Sequence, residues 1–392
     1  MNALCPQGVR YSAVMLVRLQ QAGFYAGDLR PILVMEAPVA ATVPNRLIDL
    51  YSDTQTRPSP GMRKAMAEAE VGDEQRGEDP TTTRLQERVA ELTGKDAAVF
   101  LPSGTMCNQV AMAVHCRPGD EIVGSAETHV FTSEGAGAAV LARAQTLAIP
   151  SDKGIFTGAE LAAAVRTGDG RHNPISRVVV IEQTVNRGGG AIWKPAQIED
   201  VARTAKANGL IVHMDGARLL NAAVGAGLPA TAMTNHVDTV WLDLSKGLGC
   251  PIGGVLAGSK DFIKEAWRWK HRLGGAMRQS GIVAAAGVYA LDHNVDRLAD
   301  DHANARRLGE HIASTKGLSL FTPRIETNIV FFDPTAAGLT SKQVHDALLQ
   351  RGVRMGLTYG NMIRAVTHLD VSREDIDRVG QVLKDAVAEL TG

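Results

Sequence analysis

Asp243-Leu244-Ser245-Lys246-Gly247-Leu248-Gly249-Cys250-Pro251-Ile252-Gly253-Gly254 follows directly on the apolar run Thr239-Val240-Trp241-Leu242. Upstream of both stands Leu210-Ile211-Val212-His213-Met214-Asp215-Gly216-Ala217-Arg218. An apolar run that breaks into Ser and Gly reads as a buried strand ending in a turn. A lysine in such a turn has its amine partly desolvated, which favours attack on a carbonyl. Pyridoxal 5′-phosphate (PLP), an aldehyde cofactor, needs a Schiff-base lysine and, in many of its enzymes, an acidic partner for the pyridine nitrogen. Lys246 and Asp215 are those two residue types, each just past a strand-like run. Taken alone, each also reads as a surface lysine or a helix-capping aspartate, because short motifs misfire often.

Outward from this pair the chain alternates. Ala97–Leu101, Glu121–Val123, Thr146–Ile149, Arg177–Ile181, Leu210–Met214 and Asp238–Leu242 read as buried strands. Helical stretches separate them, one opening at Pro195 and closing at Gly209, proline in the first turn and glycine past the last. Strands spaced by helices predict an α/β fold: a mostly parallel, doubly wound sheet covered on both faces. After an Ala-rich helical region from Ser280, strands Asn328–Phe332 and Met362–Val366 alternate with helices Thr340–Arg351 and Ser372–Leu390. This predicts a large domain over residues 47–290 and a smaller α+β C-terminal domain over residues 291–392. Residues 1–46, Arg-rich and acid-poor at their start, read as a leader or linker, with a transit peptide as the alternative.

Composition narrows the partners. The 392 residues are 45% hydrophobic, enough for a sizeable core, and 41 Lys plus Arg offset 42 Asp plus Glu. With no basic run interleaved with aromatics and no membrane-length apolar stretch, neither nucleic acid nor a membrane is an expected partner, and a small molecule is. Cys5, Cys107, Cys116 and Cys250 lack paired CxxC spacing, which argues against a metal site or disulfide framework and fits a cytoplasmic protein.

In open α/β sheets ligands bind beyond the carboxyl ends of the strands. Pro102-Ser103-Gly104-Thr105 follows one strand and opens a helix from Met106 to His115, so its free amides could hold a phosphate, although an ordinary N-cap looks the same. Gly247-Leu248-Gly249-Cys250-Pro251-Ile252-Gly253 has the wrong spacing for a dinucleotide fingerprint, which argues against a nicotinamide cofactor. His129 is a candidate to lie flat on a cofactor ring, or is a structural histidine.

From Ile48 onward the chain resembles the L-threonine aldolase family, PLP enzymes of the aspartate-aminotransferase fold (fold type I). The resemblance is carried by Leu50-Tyr51-Ser52-Asp53-Thr54, Val71-Gly72-Asp73-Glu74, Gly77-Glu78-Asp79-Pro80-Thr81 and Ser103-Gly104-Thr105-Met106. It continues through His213-Met214-Asp215-Gly216-Ala217-Arg218, Ser245-Lys246-Gly247-Leu248, Leu273-Gly274-Gly275-Ala276-Met277-Arg278-Gln279 and Arg364-Ala365-Val366-Thr367-His368, in family order.

The resemblance implies aldol cleavage of threonine, allo-threonine and other β-hydroxy-α-amino acids to glycine and an aldehyde. Lys246 would bind PLP covalently, Asp215 would pair with its nitrogen, His129 would stack on its ring, and Gly104 and Thr105 would hold its phosphate. Ser52, Arg218 and Arg364 would bind the substrate carboxylate; Lys270 and Arg278 would lie at or near the phosphate, supplied across a homodimer or homotetramer interface. Two positions depart from the pattern: Arg76 stands where many relatives have tyrosine, and Val185 where they often have histidine. Both are expected near the substrate's β-substituent: Arg76 either meets an acidic substrate, or points to solvent or pairs with Glu74, Glu78 or Asp79, and the apolar Val185 could instead admit an aryl ring. Other PLP reactions on the same fold (β-elimination, transaldol exchange, racemisation) and a non-catalytic scaffold are the alternatives.

Overall fold

The structure, a computed structural model, describes residues 47–166 and 171–392; the expected leader lies outside the described residues. The chain up to Gly258 supplies β1 (Ile48–Asp49), β2 (Ala97–Leu101), β3 (Glu121–Ser125), β4 (Gln145–Ile149), β5 (Ser176–Glu182), β6 (Ile211–Gly216), β7 (Thr239–Asp243) and β8 (Gly254–Gly258). Seven of them form one sheet in the order β2-β8-β7-β6-β5-β3-β4. Neighbours from β7 across to β4 pair in parallel, and β8 runs antiparallel to both β7 and β2. The mostly parallel α/β sheet expected from the alternation is therefore present.

The composition of β5 shows why both faces are covered. Val178 and Val180 enter one buried cluster with Leu101, Val110 and Trp241, whereas Val179 and Ile181 enter another with Phe100, Val201 and Met214. Side chains alternate across a strand, so a run with no polar residue needs an apolar partner on each face. Each such Val or Ile, fully buried, contributes about 1.5–3 kcal/mol of transfer free energy. Strand β8 is the one the alternation does not reveal, because Gly254-Val255-Leu256-Ala257-Gly258 is short and glycine-bounded. The glycine has a packing reason: a Cβ on Gly254 would stand 2.9 Å from Cys107 Sγ on helix Gly104–His115.

The remaining strands, β9 (Ser319–Leu320), β10 (Ile329–Asp333), β11 (Val353–Arg354), β12 (Gly356–Leu357) and β13 (Ile363–Val366), are smaller. Four of them make an antiparallel sheet, β12-β13-β10-β9, and β11 pairs with β1. Helices Leu298–Ala313, Ser341–Gln350 and Arg373–Thr391 share a buried cluster with this sheet, and Ile48 and Leu50 join it from the start of the described chain. That join matters for the site. The Val366 amide donates to Leu50 O at 2.9 Å, which brings Ser52 and Asp53 toward β13 and Arg364. No helix among the described residues is long and apolar enough to cross a membrane.

Candidate active site

The carboxyl ends of β5, β6 and β7 open on a cavity of about 370 Å³. Lys246 reaches it from the turn after β7. Asp243 Oδ1 accepts from the Ser245 amide at 2.7 Å and from its hydroxyl at 2.9 Å, closing a local Asx turn. The Lys246 amine donates to Asp243 Oδ2 at 2.7 Å and stands 5.6 Å from the centre of the Trp241 ring. A serine-lined turn beside an indole face thus holds a single half-buried amine toward the cavity.

Asp215 lies at the end of β6 and is 1% exposed. Burial pushes its carboxyl above the usual range, and the charge of Glu134 adds to this, while His129, Lys246 and a hydrogen bond from Asn108 oppose it. Its Oδ2 accepts from Asn108 Nδ2 at 2.8 Å and its Oδ1 from the Ala217 amide at 3.1 Å. A cation placed against this carboxylate would relieve its burial, which is the property a pyridinium partner requires.

His129 begins a short helix whose amide donates to Glu182 Oε2 at 2.6 Å. Its Nδ1 lies 2.9 Å from Glu134 Oε1, and that hydrogen bond raises the imidazole's pKa against its burial. Glu182, fully buried, is pushed up to about 7 by desolvation and by the nearby Asp215 charge. His129 Nδ1 and one oxygen each of Glu134 and Asp215 lie within 4.8 Å of one another, a spacing that would also suit a cation. Here the space between them is bridged by the His129–Glu134 bond and by both N–H donors of Asn108.

Helix Gly104–His115 starts at the opposite wall, two residues earlier than its apolar pattern suggests, and its Ser103 cap accepts from the Met106 amide at 3.2 Å. The amides of Gly104 and Thr105 belong to the first turn and have no intrahelical acceptor. A Cβ on Gly104 would stand 2.2 Å from the Trp241 ring, so only glycine lets the helix start this close. The first turn fits a phosphate by its free donors and its dipole.

On the side of the small sheet, Arg218 donates Nε and Nη2 to the two oxygens of Asp53, both at 2.7 Å and both partners buried. Burial alone would raise the Asp53 carboxyl, but the guanidinium charge and its hydrogen bonds hold it down at about 2. Arg364 donates to Asn186 Oδ1 at 2.9 Å and to Tyr51 O at 3.2 Å, and Ser52 lines the cavity beside it.

The model of the family described as beta-eliminating lyase matches residues 49–337. The chain belongs to that family. It is 39% identical over 336 residues to the low specificity L-threonine aldolase of Escherichia coli K12, covering 85% of this chain and 97% of that one. Two solved structures share the fold: a Leishmania major threonine aldolase (TM-score 0.73, 22% identity, 86% of this chain and 99% of that) and a chain named SPT solved with PLP (TM-score 0.69, 16% identity, 88% of each).

Lys246, Asp215, His129, Gly104, Thr105, Ser52, Arg218 and Arg364 all line the one cavity. Lys270, Arg278 and Arg76 do not. The Lys270 amine is fully buried in an ion pair with Glu74, whose other oxygen accepts from the Met277 amide at 2.7 Å. Arg278 and Arg76 are exposed and share Asp73 Oδ2, at 2.9 and 3.9 Å. Arg76 thus points mostly to solvent, one of the alternatives expected for it, and its ion-pair partner is Asp73 rather than Glu74, Glu78 or Asp79. Val185 also differs from expectation: it is buried and packs on Gly154, where a Cβ would come within 2.4 Å of it, so its neighbours Glu182 and Asn186 face the cavity instead.

Of the groups that hold the site residues, Asn108 and Glu134 are not visible as motifs, and Asp53 stands in the Leu50–Thr54 stretch with no sign there of its partner. They lie 107, 5 and 165 residues from the groups they hold. Asp243, three residues before Lys246, carries a local signal, the Asp-x-Ser pattern of an Asx turn.

Proposed function

We propose that this protein is a PLP-dependent aldolase that cleaves L-threonine, L-allo-threonine and other β-hydroxy-α-amino acids to glycine and an aldehyde. The observation that carries the reading is the convergence of Lys246, buried Asp215, His129 and Arg364 on one cavity beside a helix N-terminus, in a close relative of named threonine aldolases. Bound PLP supplies the electron sink that makes cleavage of the Cα–Cβ bond accessible. Lys246 is the amine for its covalent attachment, and Asp215 holds a proton on the pyridine nitrogen by placing a negative charge beside it. The Gly104 and Thr105 amides take the phosphate. Arg364 and Ser52 fix the substrate carboxylate, and Arg218, locked by Asp53, adds positive charge to the same wall. His129 would lie against the ring and take the β-hydroxyl proton, directly or through a water, with Glu134 orienting its imidazole.

Purified protein incubated with PLP should turn yellow, and borohydride should fix the cofactor to Lys246; labelling of another lysine would refute the assignment. The description of the matching family favours β-elimination as the second reading. Product analysis separates the two, since glycine with an aldehyde marks aldol cleavage and a keto acid with ammonia marks elimination.

The reading extends to a cytoplasmic homodimer or homotetramer in which Lys270 and Arg278 serve a neighbouring site, and to a division into domains at about residue 290. The separate buried cluster around the small sheet supports the division. Sedimentation velocity tests the assembly: a monomer that retains full activity would remove the shared site.

A further inference from the structure

Asn108 is 1% exposed, on the helix that opens at Gly104. Its carboxamide orientation follows from its neighbours. The Trp241 indole N–H, which can only donate, lies 2.8 Å from Oδ1, so that atom is the carbonyl oxygen. Nδ2 therefore faces Asp215 Oδ2 at 2.8 Å and Glu134 Oε1 at 2.7 Å, one hydrogen to each carboxylate. The same logic extends behind it. His213 Nε2 lies 3.1 Å from Asn108 Oδ1 and must carry the hydrogen, because that oxygen can only accept. Burial brings His213 down to about 3, so its ring is neutral and its Nδ1 is bare. The Thr239 hydroxyl, 2.9 Å from that nitrogen, then donates to it and is left to accept from His115 Nε2 at 3.0 Å. His115 is likewise neutral, brought to about 4 by burial. Every hydrogen in the chain points the same way, toward Asn108.

We propose that His115, Thr239 and His213 form a one-way hydrogen-bond chain that ends, with the Trp241 indole, on Asn108, and that Asn108 is a positioning residue holding the carboxyl groups of Asp215 and Glu134 together. The problem it solves is electrostatic. Two buried carboxyl groups this close repel each other when charged, and donors to both offset that repulsion beside the His129 ring that Glu134 holds. Asn108 supplies these donors, and two N–H groups on its oxygen polarise the amide in the direction that strengthens them. A carboxamide passes no proton along, so the chain orients and does not conduct. Through it the partner of the pyridine nitrogen and the residue that orients His129 are tied to one side chain, with Gln109 Nε2 on the other oxygen of Glu134 and the Ala217 amide on Asp215 Oδ1. This rests on the reading of Asp215 as that nitrogen's partner.

The test uses the full-length protein and PLP itself, with two readouts besides turnover: the PLP dissociation constant from absorbance titration, and the pH midpoint of the holoenzyme's visible band. Asn108→Leu removes both donors and Asn108→Asp replaces them with a third carboxylate; each should weaken PLP by at least about tenfold, the equivalent of one charge-assisted hydrogen bond, and move the band midpoint. His213→Leu should weaken PLP several-fold, and His213→Gln, whose amide N–H can stand in for Nε2, should restore it to within about twofold. Asn108→Leu with wild-type affinity and midpoint overturns the proposal, as does His213→Gln as impaired as His213→Leu. Should the Asn108 variants fail to fold by circular dichroism, the His213 pair decides alone. Wild-type protein that takes up no PLP would refute the functional reading itself, whereas wild-type binding with indifferent variants refutes only the Asn108 role.

Discussion

Two of the ion-pair clusters among the described residues differ in what surrounds them. In the cavity, Arg218 and Asp53 are sealed from water, Asp215 and Glu182 are buried, and Lys246 stands against Asp243. Around Asp73, by contrast, Arg76 and Arg278 keep 73% and 60% of their side-chain surface exposed while sharing one carboxylate. Both clusters draw on residues that the family resemblance names. Charges in the first are costly to uncover and respond to one another, and those in the second are screened by solvent. Lys270 and Glu74 lie between these cases, buried like the first and outside the cavity like the second.

The contrast can be broken most directly at Lys246. Lys246→Ala should abolish turnover while some non-covalent PLP remains bound, measured by glycine release and by loss of borohydride-stable label. Next, Asp215→Asn should keep the covalent cofactor but lose about a hundredfold or more in kcat; near-full activity would mean the carboxylate is not the nitrogen's partner. Third, Arg218→Ala leaves Asp53 buried without its guanidinium and with only the Asn328 amide still donating to it from another segment, at an expected cost of about 3–5 kcal/mol in urea unfolding. The pH dependence of this pair has a definite sign. Asp53 is lowered from 3.8 to about 2 in the folded chain, so its contribution, about 2 kcal/mol, is complete above the unfolded value and is lost as pH falls through the folded one. Urea midpoints between pH 5 and pH 2 should drop more steeply in wild type than in Asp53→Asn.

The smallest effect belongs to the exposed cluster. Arg76→Ala should change stability by less than about 1 kcal/mol and leave kcat/KM unchanged on threonine, phenylserine and hydroxyaspartate alike. A loss confined to hydroxyaspartate would instead place Arg76 in a site completed by another subunit, and the contrast between the clusters would hold only within one chain.

Much of this molecule was legible along the chain. The apolar runs from Ala97 to Leu242 became strands within a residue or two of their expected ends, because a run that is buried on both faces carries its own signal. Lys246, Asp215 and Gly104 were legible because each sits at a strand end or helix start marked by local turn chemistry. Tertiary structure alone decided who partners whom. Arg218 meets Asp53, Asn108 bridges two carboxylates, and Lys270 turns to Glu74 across 196 residues. Val185 and Arg76 show the same limit in reverse, since a motif position predicts neighbourhood but not the side to which a side chain points. Periodicity is a property of backbone geometry repeated every few residues, and so it is written locally. The desolvation and pairing that shift a carboxyl or lock a guanidinium arise only when distant segments close over it, and no local pattern carries them.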